Sequence, residues 1–322
     1  MLILAGDVGA TKTLLGLFAG GGRRPEPQYV ESFTTTNYAS LSEMIAAFAE
    51  RPAVSSVTIG AAAFGVAGPV LATRAELTNV PFSIDADDVM RRFAIGKVRL
   101  LNDLEAMAYA VPVLGGDELH VLQEGTPLQG GNMGLIAAGT GLGESILHAV
   151  GGRLVPSPTE AGHADWAART ERDINVLRLL VARYGRAEVE AVVSGRGLPN
   201  LHRATHDGPC VAVADVDAPD APAAITTAAL ERRCPHCIDA LEIFVDAYGA
   251  EAGNLGLRAM STAGLFIGGG IAPRILPALT DGRFLRAFHD KGSMRPLVER
   301  MPVKIILNAN AGLLGAAVHG GS

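Results

Sequence analysis

The sequence predicts an α/β protein built from two domains. Its 322 residues are about the length of two average domains. Apolar runs typical of strands alternate with amphipathic helical patterns, and three of these runs lead directly into glycines, at Gly6, Gly139 and Gly268. Apolar residues make up 48% of the chain and charged residues 19%, a balance that supports a large core and argues against global disorder.

The first half of the chain begins with a strand, a glycine-rich turn and a second strand. The stretch "LILAGDVGATKTLLGLFA" contains two apolar runs close enough for an antiparallel hairpin, and "QYVESFTT" adds a third strand. Ser40 precedes the helical pattern "LSEMIAAFAE". A buried strand in "SVTIGAAAFGVAGPV", the helix "DADDVMRRF" with its acidic first turn, and the strand "KVRLLND" complete this half.

A second set of elements begins near Gly131. The segments "NMGLIAAG", "SILHAV" and "GRLVPS" are strands, with the turn "GTGLGE" after the first. The patterns "TERDINVLRLLVARYG" and "CIDALEIFVDAYGAEAGNLGLRAMS" indicate helices, and Pro235 is expected at the start of the second. The strand in "AGLFIGGGI" and a final strand and helix in "VKIILNANAGLLGAAVHG" follow.

The three glycine-rich loops predict an anion-binding site. Glycine permits positive φ and close backbone approach, and such loops turn successive N–H groups toward an anion. Because the loops come from distant parts of the chain, we expect a nucleotide held by loops from both halves. Neither a G-x-G-x-x-G in a βαβ context nor a G-x-x-x-x-G-K-[ST] motif is present, which disfavours Rossmann and P-loop folds.

The stretch "LLNDLEAMAYAVP" places Asn102 and Asp103 where an apolar strand passes into a helix. Asp and Asn are favoured helix N-caps, because their side-chain oxygens accept backbone N–H groups of the first turn. The alternative is that Asp103 is a base at the carboxyl end of a strand, where open α/β sheets place their ligands. Taken alone, the stretch favours the cap.

Charge and cysteine content exclude several classes of protein. The net charge of −6 argues against a nucleic-acid surface, and no apolar run approaches the length of a membrane span. The N-terminus lacks the basic region of a signal peptide, so we expect a cytoplasmic enzyme. The motif "CPHC" at 234–237 has metal-ligand spacing, with His202 and His206 upstream, but a second C-x₂-C pair is absent. We interpret the cysteines as reduced thiols, with zinc as the alternative.

Seven motifs occur in the order found in the bacterial glucokinase family, and the chain resembles that family over nearly its whole length. They are "AGDVGATKTLLGLF", "LLNDLEAMAYAVP", "AAGTGLGES", "TEAGHADWA", "VVSGRGLPNL", "GLFIGGGI" and "NAGLLGAA". The resemblance implies a two-domain actin-like ATPase (ribonuclease H-like) fold with a central cleft. It implies a small domain of residues 1–112 plus 303–322 and a large domain of residues 113–302. It also implies phosphorylation of the glucose 6-hydroxyl with ATP and Mg²⁺ by a homodimer.

Site residues follow from the resemblance motif by motif. Asp103 is implied as the catalytic base, and Asn102, Glu160, His163 and Glu190 as further glucose ligands. Asp7 is implied near Mg²⁺, through water. The residues implied to bind the nucleotide lie in three loops: Gly6, Asp7, Gly9, Ala10 and Thr11; Gly139, Thr140 and Gly141; and Gly268, Gly269 and Gly270.

The chain departs from the family pattern at two small residues. Ala10 and Ala161 stand where the family commonly has glycine. The segment "GHADWAART" lacks the Cys-rich zinc motif of a related branch of sugar kinases and repressors, so the chain is similar to the zinc-free branch. Two alternatives stay open: a kinase for fructose or mannose, and a non-catalytic sugar sensor. A repressor on this fold would add an N-terminal helix-turn-helix, for which the first loop leaves no room.

Overall fold

The computed structural model describes residues 1–77 and 82–322. Within these ranges the strands are β1 Leu2–Val8, β2 Lys12–Ala19, β3 Glu26–Thr34, β4 Ile59–Val66, β5 Val70–Leu71, β6 Arg74–Glu76, β7 Ser83–Asp85, β8 Val98–Asn102, β9 Leu119–Gln123, β10 Met133–Ala138, β11 Leu142–Val150, β12 Arg153–Thr159, β13 Gly264–Gly268 and β14 Val303–Ile306.

The α-helices of the described ranges are α1 Leu41–Ala49, α2 Ala86–Phe93, α3 Asp103–Ala110, α4 Glu171–Tyr184, α5 Gly197–Thr205, α6 Ala221–Leu230, α7 Pro235–Ala259, α8 Leu276–Thr280, α9 Arg283–His289, α10 Arg295–Val298 and α11 Ala311–Gly320. Six of these helices, α1, α2, α3, α4, α7 and α11, lie where helices were predicted, and the other five were not predicted. None of the described helices is both long and apolar enough to cross a membrane.

The chain divides into two compact units. Unit 1 comprises Met1–Gly116 and Asn308–Ser322, and its main sheet has the order β3-β2-β1-β4-β8. Strand β1 pairs antiparallel with β2 and parallel with β4, and β4 pairs parallel with β8. The predicted hairpin, third strand and alternation of helix and strand are confirmed. The short strands β5 to β7 form a separate sheet that the sequence analysis did not predict.

The two faces of the unit 1 sheet pack against different helices. Successive side chains of a strand point to opposite faces of the sheet. Leu4 of β1 and Phe64 of β4 lie on the face whose core also includes Phe48 of α1. On the other face α3 and α11 pack against β1 and β4. A Cβ at Gly312 would lie 3.0 Å from Asp7 Oδ2, which places the Asp7 carboxylate against the start of α11.

Unit 2 comprises Asp117–Leu307, and its sheet has the order β12-β11-β10-β13-β14-β9. The long helix α7 begins with Pro235 in its first turn, as predicted, and buries most of its length in the unit 2 core. The helix α4 starts with a capping box between Thr170 and Asp173 and ends at Gly185 with φ 79°.

The boundaries between the units differ from the predicted domains 1–112 plus 303–322 and 113–302. Strand β14 pairs parallel with β13 and antiparallel with β9, so it belongs to unit 2, and only the helix after it belongs to unit 1. The assignment of this strand to the small domain was wrong. Its apolar run indicated a buried strand but carried no information about which sheet completes it.

Candidate active site

The first glycine-rich loop is the three-residue connection between β1 and β2. Gly9 N–H donates to Lys12 O at 3.1 Å, which closes the turn. Thr35 fastens it from outside, because its hydroxyl donates to Gly9 O at 2.8 Å and its N–H donates to Thr11 O at 3.0 Å. Ala10 does not have a positive φ. The alanine at this position therefore adopts the turn without backbone strain.

Gly6 lies inside β1 rather than in the turn. A Cβ there would be 2.5 Å from Phe64 Cδ1, so close packing against β4 explains this glycine.

Asp7 is a half-buried carboxylate in β1, two positions before the turn. Burial, followed by the negative charge of Asp103, raises its pKa to about 6, while Lys12 acts in the opposite direction. The two acidic groups therefore influence each other within unit 1. A cation beside Asp7 would relieve this unfavourable charge.

The structure separates the roles of Asn102 and Asp103. Asn102 is the N-cap of α3, and its Oδ1 accepts the Leu104 N–H at 2.9 Å. Asp103 is the first helical residue, and its Oδ1 also accepts from Leu104 N at 2.8 Å. Its side chain keeps contact with solvent, yet the surrounding protein desolvates the carboxylate and raises its pKa, and the hydrogen bonds only partly offset this effect. The cap is therefore present without requiring the Asp103 carboxylate.

The second glycine-rich loop connects β10 to β11 and is braced by the segment before α5. Gly139 N–H donates to Gly141 O, and Gly195 N–H donates to Gly139 O, both at 2.8 Å. Glu190 Oε2 accepts the Leu142 N–H at 2.8 Å. A Cβ at Gly141 would lie 2.5 Å from the same oxygen, so a larger residue would displace the Glu190 carboxylate from this hydrogen bond.

The third loop follows β13 and lies beside the second. Gly269 has φ 83°, and a side chain there would collide with the Ala138 backbone. A cavity of about 680 Å³ is lined by Gly139 and Thr140 of the second loop and by Gly270 of the third. Its wall continues along α5 and α6, through Tyr184, Arg196, Leu198, Pro199, Asn200, Ala223 and Thr226. Two of the three predicted nucleotide loops thus border one cavity within unit 2.

The polar residues predicted to bind the sugar in unit 2 lie on two adjacent 3₁₀ turns. Ala161–His163 forms one turn, preceded by Glu160, and Val189–Ala191 forms the other. His163 Nδ1 lies 3.2 Å from Glu188 Oε2. Ligand atoms of His163, Glu188 and Glu190 all lie within 4.8 Å of one another. Among the described residues, none donates a hydrogen bond to the Glu160 carboxylate, which leaves it open to a ligand.

Glu188 lies beside the predicted site residues, and the sequence did not indicate it. Its Oε2 is 3.2 Å from His163 Nδ1 and so holds the orientation of the imidazole ring. Glu188 precedes the 3₁₀ turn that contains Glu190, so no strand-like or helical spacing in the sequence places both glutamates together. The sequence indicated only Glu190, whereas the structure brings both glutamates near His163.

Comparison with known proteins gives a consistent result over the whole chain. The family model described as Glucokinase matches residues 4–321. A glucokinase of Mesorhizobium japonicum is 39% identical over 98% of this chain and 91% of its own length. One of Nostoc punctiforme is 37% identical over 98% of each chain.

Solved structures agree with the sequence relatives. A crystal structure of glucokinase from an Antarctic psychrotroph has a TM-score of 0.89 and 28% identity, and covers 99% of this chain and 98% of that chain. A ROK-family hexokinase from Thermus thermophilus, at 20% identity and a TM-score of 0.71, shares the fold. The fold is therefore the actin-like ATPase fold, as predicted, and the chain belongs to the glucokinase family.

Proposed function

We propose that this protein transfers the γ-phosphoryl group of ATP to the 6-hydroxyl of D-glucose. Membership of the glucokinase family supports this activity. The observation that carries it is the carboxylate of Asp103, which stands at the end of a parallel strand with a raised pKa and is not needed as the helix cap.

Asp103 acts as the general base of this reaction. Its carboxylate hydrogen-bonds the 6-hydroxyl and takes its proton as the sugar oxygen attacks the γ-phosphorus. The raised pKa improves this role, because a desolvated carboxylate is a stronger base than one in water. Asn102 lies next to it, with its amide nitrogen 3.3 Å from Gly68 O, and offers hydrogen bonds to a neighbouring sugar hydroxyl.

In this proposal the adenosine of ATP occupies the cavity of unit 2, and the phosphates contact the glycine-rich turns. The second and third loops, Gly139–Gly141 and Gly268–Gly270, line or adjoin that cavity. The backbone amides of Gly9, Ala10 and Thr11 in unit 1 supply further donors to phosphate oxygens. A ROK-family glucokinase of Streptomyces griseus, which shares the fold at 23% identity, was solved with glucose and AMPPNP.

Asp7 fits the requirements of a magnesium site. Carboxylate oxygen is the preferred ligand of Mg²⁺, which usually keeps several waters and binds through one or two carboxylates and the substrate phosphates. The pKa of Asp7 is raised to about 6 by burial and by Asp103, and a bound cation would reverse that shift. When bound, Mg²⁺ would neutralise negative charge on the phosphates. Asp7 would hold it through water.

Glu160, His163 and Glu190 bind the remaining sugar hydroxyls. His163 is held by Glu188, and the Glu190 carboxylate is fixed by the Leu142 N–H and by Arg196 at 3.5 Å. Fixed polar groups discriminate strongly, because a sugar that lacks one hydroxyl leaves its partner unpaired. We therefore propose glucose as the preferred acceptor.

The substitution Asp103→Asn tests the base assignment. Asn preserves the size of the side chain, its Oδ1 can still accept the Leu104 N–H, and Asn102 remains the cap, so stability should change little. Loss of a general base is expected to lower kcat by at least ~10²-fold. Initial rates of ADP release at saturating substrates give kcat, and thermal unfolding gives stability. Asp87→Asn, an exposed acid in the first turn of α2, is the matched control. A folded Asp103→Asn protein with kcat close to wild type would contradict the proposal.

An ATP-dependent panel of sugars separates the alternatives. Glucose should give the highest kcat/KM, with phosphate on the 6-hydroxyl. If fructose, mannose or N-acetylmannosamine exceeds glucose at equal concentration, the substrate assignment is wrong. If no sugar is phosphorylated while glucose still binds, the protein is a sensor. A homodimer and a cytoplasmic location are part of the same proposal on the family resemblance, and sedimentation equilibrium would determine the oligomeric state.

A further inference from the structure

All three cysteines of the chain converge on two histidines in unit 2. The ligands of this cluster follow the spacing H-x₃-H-x₃-C-x₂₃-C-x₂-C from His202 to Cys237. His202 lies on α5 and His206 directly follows that helix, whereas Cys234 and Cys237 belong to the first turn of α7. We name this group the cysteine–histidine cluster. The glucokinase activity proposed above does not use it.

The distances between these donor atoms match tetrahedral zinc coordination. Cys210 Sγ lies 3.8 Å from both Cys234 Sγ and Cys237 Sγ. Cys234 Sγ lies 3.4 Å from His206 Nε2. In a zinc site the Zn–S bonds are about 2.3 Å long and the Zn–N bonds about 2.0 Å. At tetrahedral angles, these bond lengths place two sulfur ligands about 3.8 Å apart and a sulfur and a nitrogen ligand about 3.5 Å apart. The three separations given above agree with these values.

The orientation of His206 is also that of a metal ligand. Its Nδ1 lies 2.9 Å from His202 O and donates its proton there, which fixes the tautomer and leaves Nε2 unprotonated toward Cys234. Metal-bound histidines almost always donate their second ring nitrogen in this way. A ring held only for packing would not need its free nitrogen aimed at a sulfur.

His202 packs beside the cluster but is not one of the four donors whose separations are given above. Its ring is stacked on that of His206 with centroids 3.6 Å apart, and it is only 5% exposed. Its Nε2 is buried without a hydrogen-bond partner among the described residues. Donor atoms of His202, His206, Cys210 and Cys237 lie within 4.8 Å of one another.

We propose that Cys210, Cys234, Cys237 and His206 bind one structural Zn²⁺ ion. Four protein ligands close the coordination sphere, so the site has no open position for substrate and is structural rather than catalytic. The missing second C-x₂-C pair, which argued for reduced thiols, is replaced here by one cysteine and one histidine from the neighbouring segment. The site is distinct from the Cys-rich motif of the related sugar kinases, which would follow His163.

The ion would fasten the wall of the nucleotide cavity. Helix α5 ends at the cluster, while its first turn contributes Leu198 and Pro199 to the cavity and follows Gly195, which braces Gly139. The segment after Cys210 returns to the same wall, where Asp217 pairs with Arg203. Metal loss is therefore expected to weaken ATP binding more than glucose binding.

Metal content is the primary test. Protein produced in zinc-supplemented medium should contain about one zinc per chain, since all four ligands come from one chain. Cys234→Ser and His206→Ala should lose most of this metal, while His236→Ala should keep it, because His236 lies between the two α7 cysteines but outside the ligand set. If His236→Ala loses zinc as fully as Cys234→Ser, the ligand assignment is wrong.

Two measurements on the unaltered chain keep the test decisive if the variants do not fold. Cobalt-substituted protein should show thiolate-to-metal charge-transfer absorption and the intense visible bands of tetrahedral Co²⁺. Removing the metal with a chelator should lower Tm, and adding Zn²⁺ should restore it. A protein that carries no zinc, does not change Tm on addition of Zn²⁺, or has an intact mass showing a disulfide would overturn the proposal.

Discussion

The two units contain the same hairpin with different chemistry. In each, two antiparallel strands are joined by three residues, Gly9–Thr11 in unit 1 and Gly139–Gly141 in unit 2. The first strand of each hairpin also pairs with a parallel strand on its other side, β1 with β4 and β10 with β13. Two positions before the turn, unit 1 has Asp7 and unit 2 has Ala137. Repetition of the topology thus provides two glycine-containing turns, but only the one in unit 1 has a carboxylate two positions before it.

In unit 2 the carboxylate of the hairpin lies on the second strand, after the turn. Glu144 lies on β11, and its side chain is only 1% exposed, beside Glu251 and Arg258. Burial and the charge of Glu251 raise the pKa of Glu144 to about 8, so it is largely protonated at neutral pH. Asp7 is partly exposed at the end of its strand, whereas Glu144 is enclosed by protein. Burial raises the carboxylate pKa in both units, and under the proposed function only Asp7 takes part in the reaction.

The largest expected effect comes from Asp7→Asn. It removes the proposed cation ligand and should lower kcat at least ~10²-fold, because a metal contributes several kcal/mol to phosphoryl transfer. The same change should raise the free energy of unfolding at pH 8. Asp7 has a folded pKa of about 6 against an ordinary value of 3.8, so stability falls as pH rises between these values.

Kinetics and thermal unfolding across pH test both halves of the Asp7 prediction. Wild-type kcat/KM, which reports the free enzyme, should fall as pH drops through about 6, where Asp7 becomes protonated, whereas kcat should persist to lower pH because the bound cation lowers the pKa of Asp7. A variant that loses activity and also stability at pH 8 would show that Asp7 has a structural role, and the contrast with Glu144 would disappear.

Thr140→Val should have the next largest effect. It removes a hydroxyl from the cavity wall at constant volume and should raise KM for ATP by about 10-fold, the value of one hydrogen bond of ~1.4 kcal/mol. Glucose binding without ATP should be unchanged. Thr226→Val is the control, since the Thr226 hydroxyl lines the same cavity but donates to Pro222 O and Ala223 O of its own helix. Equal KM values for the two variants would exclude a nucleotide role for Thr140.

Glu144→Gln should change stability and leave activity within about twofold, since surrounding groups, not the ligand, determine its state. The folded pKa lies above the ordinary 4.5, so wild-type stability falls as pH rises from 4.5 to about 8. Glutamine removes that loss and should stabilise the protein by about 1–3 kcal/mol at pH 9, after the ion pair with Arg258 is discounted. Denaturant unfolding at pH 6 and pH 9 measures the difference. If the difference in stability between the variant and wild type is the same at pH 6 and at pH 9, Glu144 is ionised at both pH values and the prediction is wrong.

Ala10→Gly should have the smallest effect. Because Ala10 lacks a positive φ, glycine relieves no strain and adds only the entropy cost of a freer chain, about 0.5–1 kcal/mol. We expect KM for ATP within about threefold of wild type. A large gain in activity would show that the alanine distorts the first turn during turnover, which would make the two hairpins less alike than their hydrogen bonds indicate.

Local patterns predicted most of the fold. The first hairpin, the Ser40 cap and the start of α7 at Pro235 depend on neighbouring residues and were found where expected, whereas Gly6 lies inside β1 rather than in a loop. Pairing between distant strands was less accessible. The apolar run of β14 fits any sheet, and its place between β13 and β9 depends on residues more than 30 and 180 positions away.

The candidate site shows the same limit. The motif at 102–103 predicted a helix start and a carboxylate, but only the structure shows that Asn102 caps the helix and frees Asp103. The partnership of His163 with Glu188 spans 25 residues, and the sequence did not select it. The sequence likewise did not predict that the members of the cysteine–histidine cluster lie together, because they come from two helices and a loop whose packing no local spacing predicts.

The position of α11 has a consequence for how the protein is made. Its glycines allow close contact with α3, since a side chain at Gly315 would collide with Ala106 O, and it covers one face of β1 and β4. A ribosome synthesises β1 first and α11 only after the whole of unit 2. Until then the unit 1 sheet exposes apolar surface that a chaperone or protease can recognise. Unit 2 has all its strands before α11 emerges, so we expect the nascent chain to gain a folded unit 2 before unit 1.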